Sequence, residues 1–243
     1  MNKTGDTKKA ETAVRTDKYP HSDNDWENFD VLHINRLPSA ATFMAYTTKE
    51  KAVKNDKSQS EYFQSLNGTW KFQFVPRSDQ RPMDFFEKGH DVSGWGNIKV
   101  PANWEMEGYG HPFYIGAGYG IKRNPPLIAV ENSPAGSYKR TFNVPANWKG
   151  KQIVLHFGGV ASAFYVWVNG EKVGYSQDSK TPSEFDITPY AVTGQNEIAV
   201  QVFKFSDGYY LEDQDYWRFA GIQRDVYLSL IHISEPTRLG MIS

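Results

Sequence analysis

Cysteine is absent from the 243 residues. Its absence excludes a disulfide scaffold, a cysteine-ligated zinc site and a cysteine nucleophile. Long apolar runs are missing too, and none approaches the ~20 residues of a membrane-spanning helix. Charge of one sign is not in excess, since 27 Lys and Arg stand against 28 Asp and Glu. A nucleic-acid binder would show a strong basic bias, so neither nucleic acid nor membrane is an expected partner. The first twenty residues are polar and lysine-rich with no apolar segment, so no secretory signal is read there. The expected location is the cytoplasm, with the periplasm or the exterior as the alternative if a leader precedes. Helical periodicity is scarce, and there is no repeat or coiled-coil pattern.

What the chain has in quantity is aromatic residues: 15 Phe, 14 Tyr and 7 Trp. That is enough large apolar side chain to build a core, which excludes global disorder. From Leu66 the texture is short alternating runs separated by turn residues. Thr69–Val75 sets Trp70, Phe72 and Phe74 against Lys71 and Gln73, and Ser137–Val144 sets Tyr138, Arg140 and Phe142 on one face. Gln152–Phe157, Ala163–Val168, Glu171–Tyr175, Glu197–Phe203 and Arg224–Leu228 follow with the same β-branched and aromatic content. These patterns predict strands. Asn169-Gly170 lies between two of the runs and predicts a type I′ hairpin, which needs φ > 0 at both central residues. Many short strands with Gly and Pro turns predict an all-β jelly-roll sandwich. The expected organisation is a polar tail over 1–24, an extended arm over 25–65, the sandwich over 66–228, and a distinct tail over 229–243. Residues 47–64 could hold a short helix or stay irregular.

Chemistry is sparse in the motifs. The six histidines are scattered with no ligand spacing, so they read as ordinary surface or core residues. The glycine-rich stretch 108–120 lacks a following helix and reads as a mobile loop rather than a phosphate cradle. No GxSxG elbow is present. The acidic run from Asp207 to Arg218 is denser, with Asp207, Glu212, Asp213 and Asp215. Paired carboxylates can do glycosidase work, and oxygen-rich loops can hold a cation. They can also accept backbone N–H groups and pair with Arg218 and Arg224. All three readings stay open. Trp70 and Trp167, inside strands, read as core. Trp104 and Trp217, in loops beside Asn103 and Asp215, are balanced between core packing and a sugar-facing role.

Motif order narrows these alternatives. Asp25-Trp26-Glu27-Asn28, Asn35-Arg36-Leu37 and Ser65 to Trp70 come first, then Val100 to Tyr109 (VPANWEMEGY) and Glu131-Asn132-Ser133-Pro134. Gly174 to Ser179, Pro182 to Asp186, and Ser206-Asp207-Gly208 through Arg224-Asp225-Val226 complete the series. Over about Asp25 to Tyr227 the chain resembles the N-terminal sugar-binding domain of the large, lacZ-type β-galactosidases of glycoside hydrolase family 2. The related β-glucuronidases share the jelly roll but lack the paired NWxMxGY and SDGxYLEDQDxWR motifs. The resemblance implies a jelly roll packed on a (β/α)8 barrel that carries the two catalytic glutamates and the magnesium ligands. No residue of this chain is then catalytic. Asn103 is expected to line the galactose pocket. Asp207 is expected to contact the 6-hydroxyl and to help hold a monovalent cation, sodium. Glu212, Asp213 and Asp215 take the structural reading. The implied reaction is hydrolysis of terminal β-D-galactosides with retention, with the barrel as the domain's partner and the whole enzyme a homo-oligomer. A stand-alone carbohydrate-binding module or a purely structural sandwich is the alternative.

After Tyr227 the resemblance stops. LSLIHISEPTR reads as the in-frame translation of a sequencing-library adapter, so residues from Ser229 onward are expected not to pack.

Overall fold

The computed structural model describes residues 24–230, apart from 42–43, 117–119 and 213. The polar tail of the sequence reading therefore lies almost wholly outside the described residues.

Alternation builds the first sheet. In Gly68–Val75 the side chains of Trp70 and Phe72 turn inward and are fully buried, while Lys71 and Gln73 are partly exposed. Tyr138 pairs opposite Phe72, and Ile98 opposite Trp70, so aromatic and β-branched partners meet on one face. The sheet has seven antiparallel strands in the order His33–Ile34, Glu171–Gln177, Ala163–Val168, Gly194–Phe203, Ala135–Val144, Gly68–Val75, Gly96–Val100. A four-stranded antiparallel sheet faces it, ordered Ser183–Asp186, Ile153–Phe157, Val226–Leu230, Phe63–Ser65. Between them lies the main core, with Trp70, Phe72, Tyr138, Phe164, Val166, Val200 from the first sheet and Leu155, Phe157, Phe185, Val226, Leu228 from the second. This is the expected all-β sandwich.

The Asn169-Gly170 hairpin forms as expected. Both residues take positive φ (54° and 89°), and Val168 pairs with Glu171 across the turn. Asn169 also does more than turn the chain. Its amide donates to the Asn196 side chain and the Tyr190 carbonyl, and its Oδ1 accepts from the Glu197 amide. The short helix allowed within 47–64 is Lys49–Lys54, capped by Thr48.

Alternation along a strand implies one buried and one wet face, yet the seven-stranded sheet is covered on both sides. On its outer face Tyr165, Trp167, Tyr175 and Phe203 form a second cluster with Phe85 and with Trp26 of the arm. Trp26 stacks on Phe203 at 4.0 Å between ring centroids. Trp167 is thus buried, as its strand position suggested, but in this outer layer rather than between the sheets.

The arm is stitched to the sandwich rather than merely extended along it. His33–Ile34 adds an edge strand opposite Tyr175 and Ser176, and Arg36 donates to the Ser176 hydroxyl and the Gln177 carbonyl. Gly174 is where the arm crosses. A Cβ there would stand 2.4 Å from the Ile34 carbonyl and 2.6 Å from the Phe185 ring. Phe63–Ser65, at the arm's end, is an edge strand of the smaller sheet.

At the other end the final strand runs through Leu230, two residues past the boundary read at 228. Ser229 pairs with Val154 and Leu230 with Ile153, and both are buried. The expectation that packing stops at Ser229 is corrected for these two residues. The apolar alternation Val226, Leu228, Leu230 continues, and the chain follows it. Residues 231–243 lie outside the described residues.

Candidate functional site at one end of the sandwich

The loops that follow the strands Gly96–Val100 and Gly194–Phe203 carry the two residues singled out in the sequence. Asn103 lies in an extended stretch whose flanking amides are fixed. The Ala102 amide donates to the Ile222 carbonyl and the Trp104 amide to the Ala220 carbonyl. Asn103 is the N-cap of the helical turn Trp104–Glu107, but its side chain caps nothing. Asn at this position ordinarily accepts from an amide of the first turn. Here the Asn103 Oδ1 is buried and without a partner.

Asp207 begins the turn Asp207–Leu211 and is almost completely buried. Its Oδ1 accepts from the Gln177 amide at 2.5 Å and from the Gly208 N–H at 2.8 Å. Gln177 also donates to the Tyr175 hydroxyl. The Asp207 Oδ2 has no partner. Burial penalises the charged form and pushes the carboxyl up to about 6, and the Gln177 and Gly208 donors offset only part of that. The sign of its linkage follows. A carboxyl raised in the fold favours the native state below its unfolded value, near 3.8, and loses that contribution as pH rises through about 6. Two pH units correspond to roughly 3 kcal/mol. Urea unfolding of the chain between pH 4 and 7 is expected to show this slope, and Asp207→Asn to flatten it by about 2–3 kcal/mol. An unchanged slope would show that Asp207 is not the titrating group.

A continuous set of contacts joins the two loops. Gly221 and Ile222, beside the Asn103 stretch, pair with Ala161 and Val160. The next residue, Ser162, bonds the Ser206 hydroxyl at 2.7 Å, and Ser206 precedes Asp207. Both orphaned oxygens therefore belong to one end of the sandwich, the position where loops on a rigid scaffold carry ligand groups.

The remaining acidic residues take up structural partners. Glu212 accepts from the amide and hydroxyl of Ser179, and Asp215 accepts from the Tyr114 hydroxyl. Asp213 lies outside the described residues. The expected pairing with Arg218 and Arg224 is corrected. Among the described residues neither arginine makes an ion pair with this run. Arg218 lies over the rings of Tyr216 and Tyr209 and donates to the Gln214 carbonyl, and Arg224 donates to the Lys180 carbonyl. For Arg218, aromatic faces have taken the place of carboxylates.

The two loop tryptophans separate. Trp104 is fully buried in the main core and bonds the Tyr138 hydroxyl, so of the two roles balanced for it, core packing holds. Gly136 makes the room, since a Cβ there would stand 2.4 Å from the indole. Trp217 is half exposed beside Tyr114 and Phe219. Within the glycine-rich stretch, Phe113–Ile115 is not loop but a strand paired with Tyr216–Arg218. His156, buried against Glu184 and stacked on Tyr227, is a core histidine. Among the described residues no group of three or more His, Asp or Glu could hold a metal ion. A cavity of about 610 Å³ opens beside these loops, walled by Phe74, Trp104, Glu105, Tyr109, Phe113 and Phe205 among others, but by neither Asn103 nor Asp207. Gln177 and Lys204 escaped the sequence reading as functional residues. Gln177 sits within the quoted GYSQDS motif, the only sequence signal it offers.

Known proteins share this architecture. The chain is 45% identical to a β-galactosidase of Priestia megaterium over 94% of its own length and 22% of that protein. It is 44% identical to a β-galactosidase of Halalkalibacterium halodurans over 87% of its length and 21% of that one. It thus spans about a fifth of the relatives it matches. Among solved structures, a calcium-binding mutant of Bacteroides uniformis β-glucuronidase 2 superposes with a TM-score of 0.53 at 26% identity, over 70% of this chain and 18% of that one. The family description "glycosyl hydrolases family 2, sugar binding domain" matches residues 63–232, and the chain belongs to that family.

Proposed function

We propose that this chain is the N-terminal sugar-binding domain of a β-galactosidase that hydrolyses terminal β-D-galactosides with retention. The observation that carries the reading is the pair of buried, unpartnered acceptors, Asn103 Oδ1 and Asp207 Oδ2, at one end of the sandwich. A buried acceptor without a donor costs about 1–3 kcal/mol, and sugar hydroxyls are donors of the right kind. In this reading Asn103 and Asp207 orient the galactose. The Asp207 carboxylate stays ionised at neutral pH and accepts from the 6-hydroxyl. Its free oxygen is also a hard donor that suits sodium. As the sole orphaned carboxylate oxygen of the described residues, it would hold the ion together with donors from elsewhere in the enzyme. The acid and the nucleophile of the two-carboxylate reaction belong to a barrel outside these residues, as do the magnesium ligands.

The test joins the full chain to the remaining four-fifths of the P. megaterium β-galactosidase, in place of the matching segment. Hydrolysis of nitrophenyl β-D-galactoside by the joined enzyme is the expected result, with none by the 243-residue chain alone. Turnover of the glucuronide instead would move the chain to the β-glucuronidases. Millimolar galactose binding by the chain alone, abolished in Asp207→Ala, would favour a stand-alone binding module.

A further inference from the structure

The two loops proposed to meet the sugar are far apart in sequence, and one buried ion pair ties them together. Lys204 stands three residues before Asp207, and Glu105 two residues after Asn103. Lys204 Nζ lies 2.6 Å from Glu105 Oε1, with side chains 7% and 1% exposed. Lys204 also donates to the His111 carbonyl. The second Glu105 oxygen accepts from the Ala220 amide, and the Ala220 carbonyl accepts from the Trp104 amide next to Asn103. One carboxylate thus holds three segments: its own loop, the Ala220 lead into the Gly221–Ile222 strand that pins Asn103, and the strand end that leads into Asp207.

A buried ion pair is a poor source of net stability, because desolvation offsets most of the attraction. Two apolar side chains would fill the same volume without fixing a direction. What the pair does supply is register, since its short contact is satisfied at one relative placement of the loops. From this we infer that Lys204 and Glu105 are positioning residues that set the Asn103 loop against the Asp207 loop for galactoside binding. The inference rests on the proposed function above. It adds a specific role for two residues outside the Asn103 and Asp207 pair proposed to meet the sugar. Lys139 pairs with Glu197 at 3.4 Å, the lysine buried and the glutamate 24% exposed; this pair joins sheet residues away from these loops and serves as the internal control.

The experiment uses the joined enzyme described above. Removing one charge would strand the other in the interior, so the informative variant is the double neutral replacement Glu105→Gln/Lys204→Met. It keeps the volume and leaves no unpaired charge. The expected result is a KM for nitrophenyl galactoside raised about tenfold, with kcat within threefold and a thermal midpoint close to that of the parent. Lys139→Met/Glu197→Gln is expected to leave KM within twofold. In the full chain by itself, hydrogen exchange at the Trp104 and Ala220 amides is expected to accelerate at least tenfold in the Glu105/Lys204 double variant. A KM within twofold of the parent in that variant, or activity lost only in proportion to the folded fraction, would overturn the positioning role. An inactive parent enzyme would instead refute the galactosidase reading, and is distinguished by needing no substitution.

Discussion

Trp104→Ala is expected to lower the stability of this chain by about 4 kcal/mol, within the range for emptying a fully buried tryptophan site. The indole is 0% exposed and packs against Phe72 and Phe74. Its N–H bonds the Tyr138 hydroxyl, which is itself buried, so truncation leaves a cavity and removes one of that hydroxyl's two partners, the Ile222 backbone remaining. The surrounding strands cannot collapse into the space, because Tyr138 and Phe72 are held by the sheet register. Against a typical domain stability of about 5–15 kcal/mol, this is about a quarter or more of the total. Trp217→Ala, at a ring 51% exposed, is expected to cost less than about 1 kcal/mol. Urea unfolding followed by circular dichroism compares the two. A Trp104→Ala loss below about 1.5 kcal/mol would mean that the core relaxes around the missing ring, contrary to the packing described.

Asp207→Asn is expected to reduce kcat/KM of the joined enzyme about a hundredfold. A hydrogen bond to a charged acceptor contributes about 1.5–3 kcal/mol, and each 1.4 kcal/mol is a factor of ten. Asn still offers Oδ1 to Gln177 and Gly208. It places an amide where Oδ2 stood, a donor facing the donors it should receive. The loop is therefore retained while the ligand contact is reversed. The same substitution flattens the stability slope between pH 4 and 7, so binding and folding respond to one atom in separable ways. A change in kcat/KM below threefold would remove Asp207 from the sugar contact.

How far these features were visible in the sequence depended on how local their causes were. The strands Thr69–Val75 and Ala163–Val168 were readable because alternation and β-branched content are properties of the segment itself. The Asn169 turn was readable for the same reason. Gly96–Val100 was not: its Gly, Asn and Lys carry little strand signal, and it is a strand because Trp70 and Thr69 pair with Ile98 and Lys99. Trp104 could not be placed either. A tryptophan in a loop can face water or fill a hole, and the hole is made by Gly136 on a strand distant in sequence. Asn103 and Asp207 were singled out through the resemblance of their motifs, whereas their free oxygens emerge only from the hydrogen-bond partners of their neighbours. Gln177, Glu105 and Lys204 act across loops, and nothing in the order of residues announces such contacts.

The stretch before residue 63 lies outside the region by which the family is recognised, yet Trp26 roofs the outer face of the larger sheet. Phe203, beneath it, is the last residue of the strand that leads through Lys204 to Asp207. Glu27, next to Trp26, accepts the amide of Ile128, which packs with Phe205, Tyr209 and Tyr210 around the Asp207 turn. Homology and cooperativity therefore draw different borders here. A piece trimmed to the matched region would keep every strand of the smaller sheet and every residue proposed to meet the sugar. It would also open a water-filled seam behind the strand that aims one of them.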